Sequence, residues 1–237
     1  MRERKLPQPF TSRQNGPQLL LALLWLPVHL FLLPRLLWHF FPQWDESTLN
    51  VAVYAVGAAY MLLTQFSFLR RDFDPLCEHP LRVLGEVLVC YGAMLLFNLA
   101  VNGMLMLLLG EGENPNNAAV VDMAAETGGP ITALAIFLAP LVEEIIFRAG
   151  IFGGLRRWNR PAAYVLSIAA FALYHVWSYA WYSRDPLMLL YALQYVPISD
   201  LLCRCYERTN SVWGNILLHM LVNFISLKAL LLLEQLL

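Results

Sequence analysis

The sequence predicts an all-α fold: a polytopic membrane helix bundle of about seven transmembrane helices, with its N-terminus cytoplasmic. Three observations predict it. Of 237 residues, 59% are hydrophobic and only 14% charged, where a soluble domain carries roughly a quarter charged residues. Uncharged or nearly uncharged runs recur along the chain, each near the ~20 residues that cross a bilayer. The basic residues gather in alternate connections, the mark of cytoplasmic loops. Together these exclude a soluble globular enzyme, a disordered chain and a disulfide-framed secreted domain. The net charge of −1 speaks for no nucleic acid.

Residues 1–18 form a basic cytoplasmic segment with Arg2, Arg4, Lys5 and Arg13. The first apolar run, 19–41, carries Pro27, Pro34 and Arg35, so a kink is expected. It is too long and too proline-broken for a cleaved signal peptide, and no A-x-A site follows; it is expected to stay as an anchor. Runs 51–69 and 87–109 follow, the latter without a charge. The polar, glycine-rich, acidic stretch 110–130 reads as an external loop, a lid over whatever opens between the helices. Residues 19–129 are thus N-terminal transmembrane helices and an external loop, and 130–237 are a second helical unit. That unit has runs at 131–150, 162–181, 187–202 and 212–233, the third of them weakened by Pro197 and Asp200.

If these runs alternate, the N-terminal basic residues fall on one side with Arg70, Arg71, Arg82, Arg156, Arg157, Arg160, Arg204 and Arg208. Arg184 is the lone arginine opposite, beside Asp45, Glu46, Glu111, Glu113, Asp122 and Glu126. The C-terminus is then outside. Cys77, Cys90, Cys203 and Cys205 make no zinc-ligand spacing, and Cys-Arg-Cys at 203–205 suits a reduced cytoplasmic helix end.

A few polar residues interrupt the apolar spans. Glu143, Glu144 and Arg148 lie in one run, His175 in the next, and His219 and Asn223 in the last. An ionisable group at mid-bilayer costs about 2.5–3.5 kcal/mol on insertion scales, so each needs a partner or water. Glu144 and Arg148 are four apart, acid first, the favourable order for a same-face pair. A structural ion pair holding helices together is the first reading there, and a catalytic role the second. Glu143 points about 100° away and is left without a partner on its own helix. His219 and Asn223 share a face. At ~1.5 Å per residue from the cytoplasmic ends, Glu143, His175, His219 and Asn223 lie roughly 15, 21, 12 and 18 Å deep, one layer.

The remaining polar groups have plainer readings. His29, His39 and His79 lack such companions and read as structural. Arg35 and Lys228 lie near enough to span ends to snorkel, and Gly150 and Gly154 suit close helix packing.

A carboxylate, two imidazoles and an amide suit attack of water on an amide bond. Glu143 would be the general base, His175 would hold the water, and His219 and Asn223 would donate to the oxyanion. The same Glu143, His175 and His219 could hold zinc, although the HExxH pattern is absent. The metal-free reading, with no cofactor, is favoured; the sequence alone does not choose.

Glu-Glu-x-x-Phe-Arg at 143–148, Phe-x-x-x-His at 171–175 and His-x-x-x-Asn at 219–223 resemble the three motifs of the CPBP intramembrane proteases. That family is also called the Abi or CAAX-protease family. The resemblance covers about 130–233 and implies peptide-bond hydrolysis inside a helical membrane protein. It carries the base role onto Glu143, water binding onto His175 and oxyanion contacts onto His219 and Asn223, with Glu144 and Arg148 supporting. Ala149 stands where many members have glycine, a departure that concerns packing.

The implied substrate is a membrane-anchored peptide or protein, prenylated or otherwise, met in the lipid bilayer. The short loops suggest a prokaryotic cytoplasmic membrane. Two other classes compete: a proton-coupled transporter using Glu143, His175 and His219 as a relay, and a non-catalytic scaffold or immunity protein.

Overall fold

Asn15 accepts from the Gln18 amide while the Gln18 side chain accepts from the Asn15 N–H. This reciprocal cap, with proline in the first turn, starts the first spanning helix, α1 (Gly16–Phe40). The structure is a computed structural model that describes residues 10–110 and 114–236. Arg2, Arg4 and Lys5 of the basic segment, and Glu111 and Glu113 of the external stretch, lie outside the described residues. The kink expected in α1 takes the form of a π-helical stretch, Val28–Leu32, directly after Pro27, where a helix N–H is missing.

Asp45 caps α2 (Glu46–Thr64) by accepting from the Thr48 amide at 2.6 Å. Two short helices, Phe66–Asp72 and Asp74–Glu78, lead to α3 (Pro80–Leu109). The stretch 110–130, expected to be a loop, is instead largely helical: α4 spans Pro115–Thr127. Its start is dictated locally, since Asn114 accepts from the amides of Asn116 and Asn117 and Pro115 takes the first turn. Its apolar side closes a small cluster of Ala124, Ile131, Leu134 and Leu227, so it lies on the bundle.

The second half holds α5 (Gly129–Arg156), α6 (Arg160–Ser183), α7 (Pro186–Thr209) and α8 (Val212–Leu236). Among the described residues, α1, α2, α3 and α5–α8 are the seven helices long and apolar enough to cross a membrane. The weak sixth run is a spanning helix whose first part, Pro186–Gln194, is a 3₁₀ stretch. Pro197 sits in the first turn of the α-helical part, Tyr195–Thr209, where its lost N–H costs nothing.

The helix α5 is the axis of the bundle. Its most apolar window is 72% buried, against 17–39% for the other six. The others expose large apolar side chains such as Leu63, Leu99 and Leu107, as lipid-facing helices do. Gly150 and Gly154 let α1 close on α5: a Cβ at Gly150 would meet Leu23 at 3.4 Å, and one at Gly154 would meet Leu19 at 3.3 Å.

The predicted sidedness of the loops is visible as contacts at one end of the bundle. Ser12 donates to Asp72 at 2.7 Å, and Asp72 also accepts from the Val212 amide. Asn210 accepts from the amides of Thr11 and Ser12. Glu207 pairs with Arg156 and Arg160, and Glu86 with Arg208. The N-terminal segment and the connections α2–α3, α5–α6 and α7–α8 therefore meet at the same end.

Candidate active site

The site grows from a defect in α5. The Ala139 N–H bonds to the Leu134 carbonyl, one residue further back than in an α-helix, because the backbone widens over Leu134–Leu138. In that register the Ala135 carbonyl would pair with residue 140, which is a proline and has no N–H. The side chain of Asn223 on α8 fills the gap, its Nδ2 donating to the Ala135 carbonyl at 2.8 Å. One turn further along, Glu143 and Glu144 point into the bundle, both buried.

Glu144 is fully satisfied. Its Oε1 accepts from Arg148 Nη1 at 2.9 Å and from His219 Nδ1 at 2.8 Å, and its Oε2 accepts from Asn215 Nδ2. Arg148 is entirely enclosed. Its Nη2 donates to Ser199 Oγ at 2.9 Å, and its guanidinium lies over the Phe171 ring at 4.1 Å. An enclosed ion pair needs such partners to offset its desolvation; of the guanidinium nitrogens, only the buried Nε has none.

Glu143 is the opposite case. Its Oε1 accepts from the Tyr54 hydroxyl at 3.1 Å, but its buried Oε2 has no hydrogen-bond partner. That oxygen lies 3.8 Å from His175 Nε2 and 4.0 Å from His219 Nε2.

The ring orientations follow from their other nitrogens. His175 Nδ1 faces the Phe171 carbonyl at 2.8 Å; a carbonyl only accepts, so Nδ1 carries the hydrogen and Nε2 is the free lone pair. His219 Nδ1 faces a carboxylate and likewise carries hydrogen. The His175 ring is also stacked on Tyr195, with centroids 4.3 Å apart. Tyr195 in turn donates to Asn114 at the start of α4 at 3.2 Å.

The structure thus brings Glu143, Glu144, Arg148, His175 and His219 together. Asn223 is on the same helix face as His219, with one amide hydrogen engaged by Ala135 and a second uncommitted. Two ligands on one tetrahedral zinc at about 2.0–2.1 Å sit about 3.3–3.4 Å apart. The 3.8 and 4.0 Å separations are wider, and no three His, Cys, Asp or Glu residues among those described close on one ion-sized point. As arranged, the three do not form a ready metal site.

Sequence reasoning missed several residues. Asn215 was within reach, since 215, 219 and 223 form one stripe on α8. Ser199 and Tyr54 gave no signal, because a lone hydroxyl in an apolar helix is usually inert. His29, read as structural, is buried with its Nε2 3.0 Å from the Tyr174 hydroxyl.

Fold and site together define a multi-pass integral membrane protein with an acid–imidazole cluster enclosed among its helices. Residues 127–225 match the family model described as type II CAAX prenyl endopeptidase Rce1-like. The family resemblance that the three motifs carry holds over this segment, which contains all six candidate residues. Over 97 residues the chain is 30% identical to the UPF0177 protein YxdF of Lactococcus lactis, covering 41% of this chain and 48% of that protein. The chain therefore spans about half the length of the curated relative it matches. No solved structure matches the chain.

Proposed function

We propose that the protein is an intramembrane endopeptidase of the glutamic type that hydrolyses a peptide bond of a membrane-anchored or lipidated substrate. The observation that carries this reading is Glu143 Oε2: a buried carboxylate oxygen with no partner, facing two imidazole nitrogens. A water hydrogen-bonded at about 2.8 Å to both Glu143 Oε2 and His175 Nε2 would subtend roughly 85°, close enough to its own bond angle to be held there. Both of these atoms accept, and water supplies both hydrogens.

In the mechanism that fits, Glu143 takes one proton from this water as its oxygen attacks the carbonyl carbon. Glu143 then returns the proton to the leaving nitrogen. His219 serves as oxyanion donor when both of its nitrogens carry hydrogen, Nδ1–H to Glu144 and Nε2–H to the substrate oxygen. In that state two carboxylates face one guanidinium and one imidazolium, so the enclosed cluster is neutral as a whole. The free amide hydrogen of Asn223 is the second donor. Glu144 and Arg148 hold His219 in place.

The substrate class rests on the family match, whose description names a prenyl endopeptidase. The similarity to a bacterial protein supports a prokaryotic cytoplasmic membrane, with the basic end of the bundle inward. The test is purified protein in liposomes with a farnesylated C-terminal peptide and with an unmodified peptide of the same sequence, products read by mass spectrometry. Wild type cleaves and Glu143→Gln does not. Cleavage that persists in Glu143→Gln refutes the base assignment. A zinc chelator leaves the rate unchanged; loss with chelator and recovery with added zinc would replace the metal-free mechanism.

A further inference from the structure

Glu143 is not oriented by its own half of the molecule. Its Oε1 accepts from Tyr54 on α2, and the Tyr54 hydroxyl oxygen lies 2.8 Å from that of Tyr174 on α6. The Tyr174 hydroxyl lies 3.0 Å from His29 Nε2 on α1. His29 is buried and its ring also meets the edge of Tyr54 at 4.7 Å. Nothing in the hydrolysis above uses these three side chains.

The direction of the chain can be deduced. An ionised carboxylate only accepts, so the one hydroxyl hydrogen of Tyr54 goes to Glu143. Tyr54 must then accept from Tyr174, which spends the one hydrogen of Tyr174, so Tyr174 accepts from His29 Nε2–H. This fixes His29 Nδ1 as a bare lone pair, and that atom is the one ring nitrogen of His29 without a partner. Every donor in the chain points at Glu143, and hydrogen bonds aligned head to tail strengthen one another.

We propose that His29, Tyr174 and Tyr54 form a positioning relay that clamps Glu143 Oε1 and so presents Oε2 to the water between the imidazoles. The inference rests on Glu143 being the base. It assigns the N-terminal helices a part in the reaction: α1 and α2 supply two of the three links, and both lie outside the segment that matches the family model. Tyr54 does not touch the reacting atoms; it acts through Glu143.

The test uses the full-length protein and the peptide of the preceding section, with Glu143→Gln as the reference for a dead enzyme. Tyr54→Phe lowers kcat roughly 10–100-fold, the range for one hydrogen bond to a charged group, with KM within about twofold. Tyr174→Phe lowers it less, and the double variant is no worse than Tyr54→Phe alone. His29→Leu behaves like Tyr174→Phe, and His29→Gln, which keeps a donor near Nε2, restores most of the rate.

Wild-type kcat in folded Tyr54→Phe overturns the proposal, as does rescue that fails to distinguish His29→Gln from His29→Leu. A readout without substrate separates this from failure of the protease reading. Tyr54→Phe lowers the melting temperature of the wild type, but by less than half as much in a Glu143→Leu background. Equal losses in the two backgrounds overturn the relay whether or not the peptide is cleaved.

Discussion

Replacing Glu144 by Gln removes one negative charge from a fully enclosed polar cluster. Its carboxylate serves Arg148, His219 and Asn215, and both Glu144 and Arg148 have no solvent exposure. Removing one partner of an enclosed pair strands the other charge and costs roughly 3–5 kcal/mol, a large part of the stability of a typical domain. Arg148 keeps Ser199 and the face of Phe171, which places the expected loss toward the lower end.

The double variant Glu144→Gln/Arg148→Met strands no charge, so it regains stability relative to Glu144→Gln. It does not regain cleavage, because the carboxylate that fixes the His219 ring is still missing. Thermal unfolding in detergent and peptide cleavage, measured on the same three preparations, separate the two effects. A double variant no more stable than the single one would refute the claim that the lost stability is uncompensated Arg148 charge. A double variant with wild-type cleavage would refute the orienting role of Glu144.

Asn223→Ala deletes both the donor to the Ala135 carbonyl and the proposed oxyanion contact. Stability falls by about 1–3 kcal/mol for one unsatisfied carbonyl, whereas kcat falls about 100–1000-fold; a loss of stability alone would return Asn223 to a purely structural role. At the basic end, outside the spanning segments, burial pushes the Asp72 carboxyl up from 3.8 to about 6, against the opposing hydrogen bonds from Val212 and Ser12. A raised carboxyl stabilises the fold below its unfolded value, and that stabilisation is lost as pH rises through about 6. Melting temperature is therefore expected to fall between pH 4 and 7 by an amount reflecting roughly 3 kcal/mol, and Asp72→Asn flattens this step; an unchanged slope in Asp72→Asn sinks the assignment.

The spans were legible because a bilayer imposes length and composition on each of them. All seven recur, including the short sixth run that Pro197 seemed to weaken. The acidic stretch misled because its polar composition resembles a loop, while the Asn114–Pro115 start and the alanines that follow carried the better signal for α4.

At the site, depth placed Glu143, His175 and His219 in one layer, and helix packing brings the two imidazoles to 3.8 and 4.0 Å from Glu143. The engagement of Asn223 with Ala135 did not follow from depth, since it depends on a π-helical register shift ahead of Pro140 that no side-chain pattern announces. Tyr54 and His29 were illegible for a different reason. Their helices α1 and α2 reach Glu143 only through tertiary packing, which spacing within one helix cannot report.

Glu143 is the residue on which the proposed protease activity depends. The most direct test compares peptide termini in membrane fractions of cells carrying wild type or Glu143→Gln at matched abundance. Wild-type membranes are expected to hold a defined set of new termini that the variant lacks, all in membrane-anchored or lipidated proteins. Identical termini in the two membranes would contradict the proposed activity and turn attention to transport or scaffolding.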